Sequence, residues 1–178
     1  MSAARRARSR RRERRWIAAA LIVAAMAGAG LVIRNFGLGT VRIAGTSMND
    51  TLVGGDIALV LRGAYRRAAP ARGDVVECRF PGRADTYVKR VIGLPGDAVA
   101  FEGGRLTVNG QPVEEEYVSS PTDDYAIALG EDEYLVLGDN RAASYDSRME
   151  DMGPIGAAMF VGRVRWILWP LNRMGDID

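Results

Sequence analysis

A serine attacks a carbonyl only if a neighbouring group takes its proton. Ser47 lies in GTSMNDTL, residues 45–52, between small residues and an apolar Met48, as in a tight turn. The chain has no histidine to serve as its base. Lysine and arginine together number 24, and Lys89 is the only lysine. It sits inside an apolar run, TYVKRVIGL. Arginine keeps its proton at any working pH, whereas a buried lysine can release it. Lysine in water titrates near 10.4 and is a poor base at neutrality, but burial disfavours the ammonium form and lowers that value. Val88, Val91, Ile92 and Leu94 are the apolar neighbours expected to do this. The two residues point to a Ser–Lys pair, with Ser47 as nucleophile and neutral Lys89 as general base.

The elements that must hold such a pair read as strands. Short β-prone runs recur between glycine and proline: VRIA (41–44), DIALVL (56–61), DVVECRF (74–80), TYVKRVIGL (86–94), DAVAFE (97–102), RLTV (105–108), EYLVLG (133–138) and MFVGRVRWILW (159–169). Asn109-Gly110 and Gly103-Gly104 mark tight turns. No helical periodicity or internal repeat is evident beyond residue 34. The expectation is an all-β domain over 34–178, with a polar, turn-rich excursion at about 98–132. Within it, Glu114, Glu115 and Glu116 read as a solvated face. With no histidine and no ligand spacing, neither a metal nor another cofactor is expected.

Charge is distributed unevenly. Residues 1–15 carry eight arginines against Glu13, although the whole chain is only +2, so the remainder is acidic. Trp16 to Ile33 follows without a charge. As a helix these residues would span about 27 Å, slightly short of a hydrocarbon core of roughly 30 Å. The reading is a cytoplasmic basic tail at 1–15, a single transmembrane anchor at 16–33, and an extracytoplasmic domain beyond it. A cleaved leader would also have a basic start and an A-x-A end, which Ala25-Met26-Ala27 and Ala27-Gly28-Ala29 supply. The apolar run continues past both to Ile33, which favours the anchor. Beside a span, the arginines are simplest as a topology signal touching anionic lipid headgroups, with no nucleic acid as partner. The single cysteine, Cys78, rules out an internal disulfide and alternates in phase with Val76 and Phe80, as a core thiol would.

SMNDTL (47–52), GDIA (55–58), VKRVIGLPGD (88–97), GDNRAASYDSR (138–148), MGPIG (152–156) and GRVRWILWP (162–170) together resemble the bacterial type I signal peptidases, in order and from the anchor to Pro170. The resemblance implies a membrane-bound serine endopeptidase that removes signal peptides from exported preproteins after small residues at −1 and −3. Its catalytic residues fall on Ser47 and Lys89. Ser144 falls where the family has a hydroxyl that orients the lysine amine. Asp146 falls where an aspartate forms ion pairs near the site, here with Arg90 or Arg148. Asp139, Asn140 and Arg141 look like turn and scaffold residues, and Ser147 like a structural one. The Ser47 backbone N–H is the expected oxyanion donor. Some members add a serine hydroxyl two residues earlier, but this chain has Gly45, which offers no side-chain donor. Asp50 stands where the family usually has proline, so the turn should be looser, and a catalytically weak accessory relative is the alternative. Ile43, Ala44 and Met48 are candidate pocket residues or core. Trp166 to Trp169 are equally suited to a core strand and to the membrane surface.

Overall fold

The computed structural model describes residues 16–28, 30–31, 37–118 and 120–177. The chain divides into two compact units, Met1–Gly37 and Leu38–Asp178. In the first, residues 16–28 and 30–31 are helical, with Trp16, Ile17, Leu21, Ile22, Val23, Met26 and Leu31 exposed. Among the described residues, no helix is long and apolar enough to cross a membrane. The basic tail at 1–15 and part of the anchor expected at 16–33 lie outside the described residues.

The second unit is mostly antiparallel β-sheet. Its strands are β1 (Leu38–Arg42), β2 (Ile57–Leu61), β3 (Val75–Arg79), β4 (Thr86–Gly93), β5 (Ala98–Glu102), β6 (Arg105–Val108), β7 (Gln111–Val113), β8 (Tyr125–Ala128), β9 (Leu135–Leu137), β10 (Phe160–Trp169) and β11 (Gly175–Asp176). One sheet runs β1-β2-β10-β3-β4-β9, with β11 beside β10. The other runs β7-β6-β5-β8. The tight turns fall where the sequence placed them. Gly103 (φ 55°) and Gly104 (φ 78°) join β5 to β6, and Asn109 (φ 52°) and Gly110 (φ 76°) join β6 to β7. Consecutive positive φ values are what a two-residue hairpin with right-handed strand twist needs.

The 98–132 segment is more regular than its polarity suggests, because it builds the second sheet. Val99, Phe101, Leu106 and Val108 of that sheet share one apolar cluster with Ile92 of β4 and with Leu135 and Leu137 of β9. The main sheet is covered on both faces. Ile43, Met48, Leu52, Ala58, Val60, Val75, Val164 and Ile167 form one cluster, and Val76, Cys78, Phe80, Val91, Val136 and Ile155 another. Two covered faces explain why β4 reads as a nearly continuous apolar run rather than an alternation.

Candidate active site

Strand β4 lies between β3 and β9, so anything it carries at mid-length is enclosed. Lys89 is 2% exposed. Directly opposite it on β3 is Val76. Opposed residues of an antiparallel pair share a face, so Lys89 lies on the face of Val76, Cys78 and Val91. Its chain neighbours Val88 and Ile92 alternate to the other face. The apolar surroundings predicted from the sequence thus come largely from across the sheet. Burial is the main cause that lowers the Lys89 pKa, and the nearby Asp146 carboxylate opposes it. Cys78 is fully buried, and burial raises its thiol pKa to about 12, so it stays a neutral wall beside the amine.

The amine is held by one hydroxyl: Lys89 Nζ donates to Ser144 Oγ at 3.0 Å. The Gly138 N–H also donates to Ser144 Oγ, at 3.2 Å. Ser144 in turn hydrogen-bonds to Asp146. The Ser144 oxygen therefore accepts from Lys89 and spends its own proton on the carboxylate. Asp146 settles the open choice of partner by pairing with Arg148, whose Nε lies 2.9 Å from Oδ1 and whose second guanidinium nitrogen lies 3.0 Å from Oδ2. Burial pushes the Asp146 pKa up, but the Arg148 guanidinium and the hydrogen bonds from Ser144 and Gly138 outweigh it and hold the carboxyl below the usual range.

Arg90 takes the other aspartate of the motif. It binds Asp139 in bidentate fashion at 2.9 and 2.8 Å, donates to Gly73 O at 3.0 Å, and places its guanidinium 3.9 Å from the Tyr117 ring centre. Thr51 Oγ1 completes the pair by donating to Asp139 Oδ2 at 2.5 Å. Asp139 is thus a buried ion-pair partner, more than a turn residue. Arg141 is likewise buried: it bonds Gly138 O at 3.1 Å, Thr122 Oγ1 at 2.8 Å and both carboxylate oxygens of Glu115. This corrects the solvated reading of the glutamate run. Glu114 and Glu116 are exposed, but the Glu115 side chain is only 9% exposed because it neutralises Arg141. Ser147 is structural, exchanging 3.2 Å hydrogen bonds with Val136 through its backbone N–H and its hydroxyl.

The Ser47 turn follows β1 and is pinned from below by Met48 and Leu52, both buried in the core cluster. The Asn49 N–H closes the turn onto Thr46 O at 3.1 Å, and the Leu52 N–H bonds Met48 O at 2.8 Å. The turn is closed with aspartate, not proline, at position 50. The 138–140 loop packs against it: the Asn140 N–H donates to Ser47 O at 3.0 Å, and Asn140 Nδ2 donates to Thr46 O at 3.2 Å. Space at this junction requires a glycine. A Cβ at Gly138 would come within 3.0 Å of Ser47 O and of Ser144 Oγ, and to 2.7 Å from Ser144 Cβ. A Cβ at Gly45, by contrast, would meet nothing within 4 Å.

Ser47 and Lys89 open onto one cleft of about 660 Å³. Residues 41–46 at the end of β1 form one wall, 85–88 at the start of β4 another, and Ala143 and Tyr145 contribute the rim. Ile43, Ala44 and Met48 all line it, and Ile43 and Met48 are core residues as well. No hydrogen bond joins Lys89 Nζ to Ser47 Oγ; catalytic hydrogen bonds often close only around substrate. Sequence reasoning missed Thr51, Tyr117, Glu115, Thr122 and the Asn140 clamp. Only Gly138 carried a signal, as the small residue opening GDNR.

Ser47 and the buried Lys89 thus share one cleft of an antiparallel β-domain. Residues 13–169 match the family described as signal peptidase, peptidase S26, and the chain belongs to that family. It is 38% identical over 158 residues to the signal peptidase I of Leptolyngbya laminosa, covering 83% of this chain and 76% of that one. It is 33% identical over 175 residues to the signal peptidase I of Bacillus licheniformis, covering 92% of each. The crystal structure of a signal peptidase I from Enterococcus faecalis aligns with a TM-score of 0.50 at 30% identity, over 54% of this chain and 97% of that one.

Proposed function

We propose that the chain is a membrane-anchored signal peptidase I whose nucleophile is Ser47 and whose general base is Lys89. The observation that carries this reading is Lys89 itself: a buried amine with a lowered pKa, aligned by Ser144, on the same cleft as Ser47. Neutral Lys89 takes the Ser47 hydroxyl proton as Oγ bonds to the scissile carbonyl carbon. It then hands that proton to the departing amine of the mature protein. A water, deprotonated by the same amine, opens the acyl-serine and frees the signal peptide. The tetrahedral oxyanion is met by the Ser47 backbone N–H, and Gly45 adds no side-chain donor.

The preprotein lies extended along the cleft, its backbone facing the edges at 41–44 and 85–88. Small side chains at −1 and −3 fit beside Ile43, Ala44 and Met48. The domain works outside the cytoplasm at the end of the apolar segment 16–33, and the arginines of 1–15 stay inside against anionic headgroups. Trp166, Leu168, Trp169, Leu171 and Met174, all exposed at the end of β10 and just beyond, suit contact with the bilayer surface. The test is cleavage of one preprotein in detergent or vesicles, with the product N-terminus sequenced. Wild type releases mature protein after a small residue, whereas Ser47→Ala and Lys89→Arg release none. Turnover by Lys89→Arg, which keeps the charge but cannot act as a base, would refute the assignment.

A further inference from the structure

The oxyanion donor assigned above belongs to a peptide plane, and that plane has a holder. Thr46 C=O and Ser47 N–H are the two ends of one peptide unit, and the bond between them is not among the cis bonds of the described residues. In a planar trans unit the carbonyl and the N–H point in opposite directions. Whatever fixes Thr46 O therefore fixes the aim of Ser47 N–H. Thr46 O accepts Asn140 Nδ2 at 3.2 Å and the Asn49 N–H at 3.1 Å. The next unit is gripped by the same residue, since the Asn140 N–H donates to Ser47 O at 3.0 Å. Asn140 thus holds the peptide planes on both sides of the Ser47 Cα.

Two further observations separate this role from ordinary turn building. Asn140 precedes the 3-10 turn Arg141–Ala143, where an asparagine side chain would usually cap its own turn. It makes no such bond and instead reaches Thr46, 94 residues away in sequence. The Ser47 N–H donates to no acceptor among the described residues. With Thr46 O turned to the 138–140 loop, that free N–H faces away from the loop.

We infer that Asn140 is a positioning residue that aims and polarises the Ser47 N–H toward the oxyanion of the tetrahedral intermediate. A carbonyl that accepts two hydrogen bonds makes its own N–H a stronger donor. The side-chain amide thereby does part of the task that a serine hydroxyl at position 45 performs in some relatives. The inference rests on the Ser47–Lys89 reading. Its effect belongs to the transition state, so it should appear in kcat and leave KM alone.

The experiment compares Asn140→Ala and Asn140→Asp with wild type on a preprotein, alongside Ser47→Ala and Lys89→Arg. Each variant is also assayed with a peptide aldehyde, which forms a tetrahedral adduct on a serine, and with an uncleavable substrate analogue. Losing one such bond corresponds to about tenfold in rate. Asn140→Ala should lower kcat by about tenfold with KM within about twofold. Asn140→Asp, which sets an acceptor against Thr46 O, should lower it further. Aldehyde affinity should fall in step with kcat, analogue affinity should not, and the acid limb of the pH profile should stay in place. An Asn140→Ala enzyme with wild-type kcat overturns the inference, as does equal weakening of aldehyde and analogue. Residual turnover by Ser47→Ala or Lys89→Arg overturns instead the reading beneath it.

Discussion

Gly138→Ala places one methyl group at the junction of the nucleophile turn, the lysine-orienting hydroxyl and β9. The added Cβ would lie 2.7 Å from Ser144 Cβ and under 3.0 Å from Ser47 O and Ser144 Oγ. Relaxed contact between carbon atoms begins at about 3.5 Å, so Ser144 or the turn must retreat by about 1 Å. Either movement breaks an alignment that the proposed chemistry uses: Lys89 Nζ on Ser144 Oγ at 3.0 Å, or the Asn140 N–H on Ser47 O at 3.0 Å. A misplacement of that size costs about 100-fold in rate. The assay is kcat/KM on a preprotein, with the melting temperature measured in parallel to show that the fold persists. Gly175→Ala is the control, because its Cβ would meet nothing within 4 Å; it should stay within about twofold of wild type. A folded Gly138→Ala enzyme within about threefold of wild type would refute the packing argument.

Other expectations follow from the same geometry. Activity should rise with pH as Lys89 loses its proton and level off below the ordinary lysine range near 10.4, because burial lowers its pKa; a pH profile of kcat/KM reads this. Burying that amine also costs stability: the unfolded chain keeps the proton to a higher pH than the folded one, so stability rises with pH between the two values. Lys89→Met should therefore be more stable than wild type by about 1 kcal/mol or more near neutrality, with the gain shrinking as pH rises toward the unfolded value, read by urea denaturation across pH. Asp139→Ala strands Arg90, whose side chain is 7% exposed, and should cost about 3–5 kcal/mol in the same experiment.

The proposed nucleophile and base were easier to single out in the sequence than the ion pairs that surround them. Ser47 and Lys89 stood out because the reaction demands a nucleophile and a base, and a chain with no histidine and one lysine leaves few candidates. Ion-pair partners are different, since any arginine satisfies any aspartate until the fold brings two together. Arg90 faces the turn and meets Asp139, whereas Arg148 sits two residues from Asp146 and folds back onto it. Glu115 was unreadable for a related reason: three consecutive glutamates look alike, and only contact with Arg141 draws the middle one inward. Most strands were visible from their apolar runs. Strand β7 was hidden by Pro112, which an edge strand tolerates, and β8 (Tyr125–Ala128) was not read either. The second sheet was masked by its polar loops, because its apolar residues take effect only against β4 and β9.

Using arginine wherever else a lysine could stand has a practical corollary. A lysine-specific endoproteinase has one address in this chain, the bond after Lys89. That bond lies in β4, hydrogen-bonded between β3 and β9, and is out of a protease's reach while the sheet is intact. Its cutting rate therefore reports the opening of β4, and two fragments of known mass give the readout. Ligands that tighten the cleft should slow that single cut, so the integrity of the centre can be followed on a gel without any turnover.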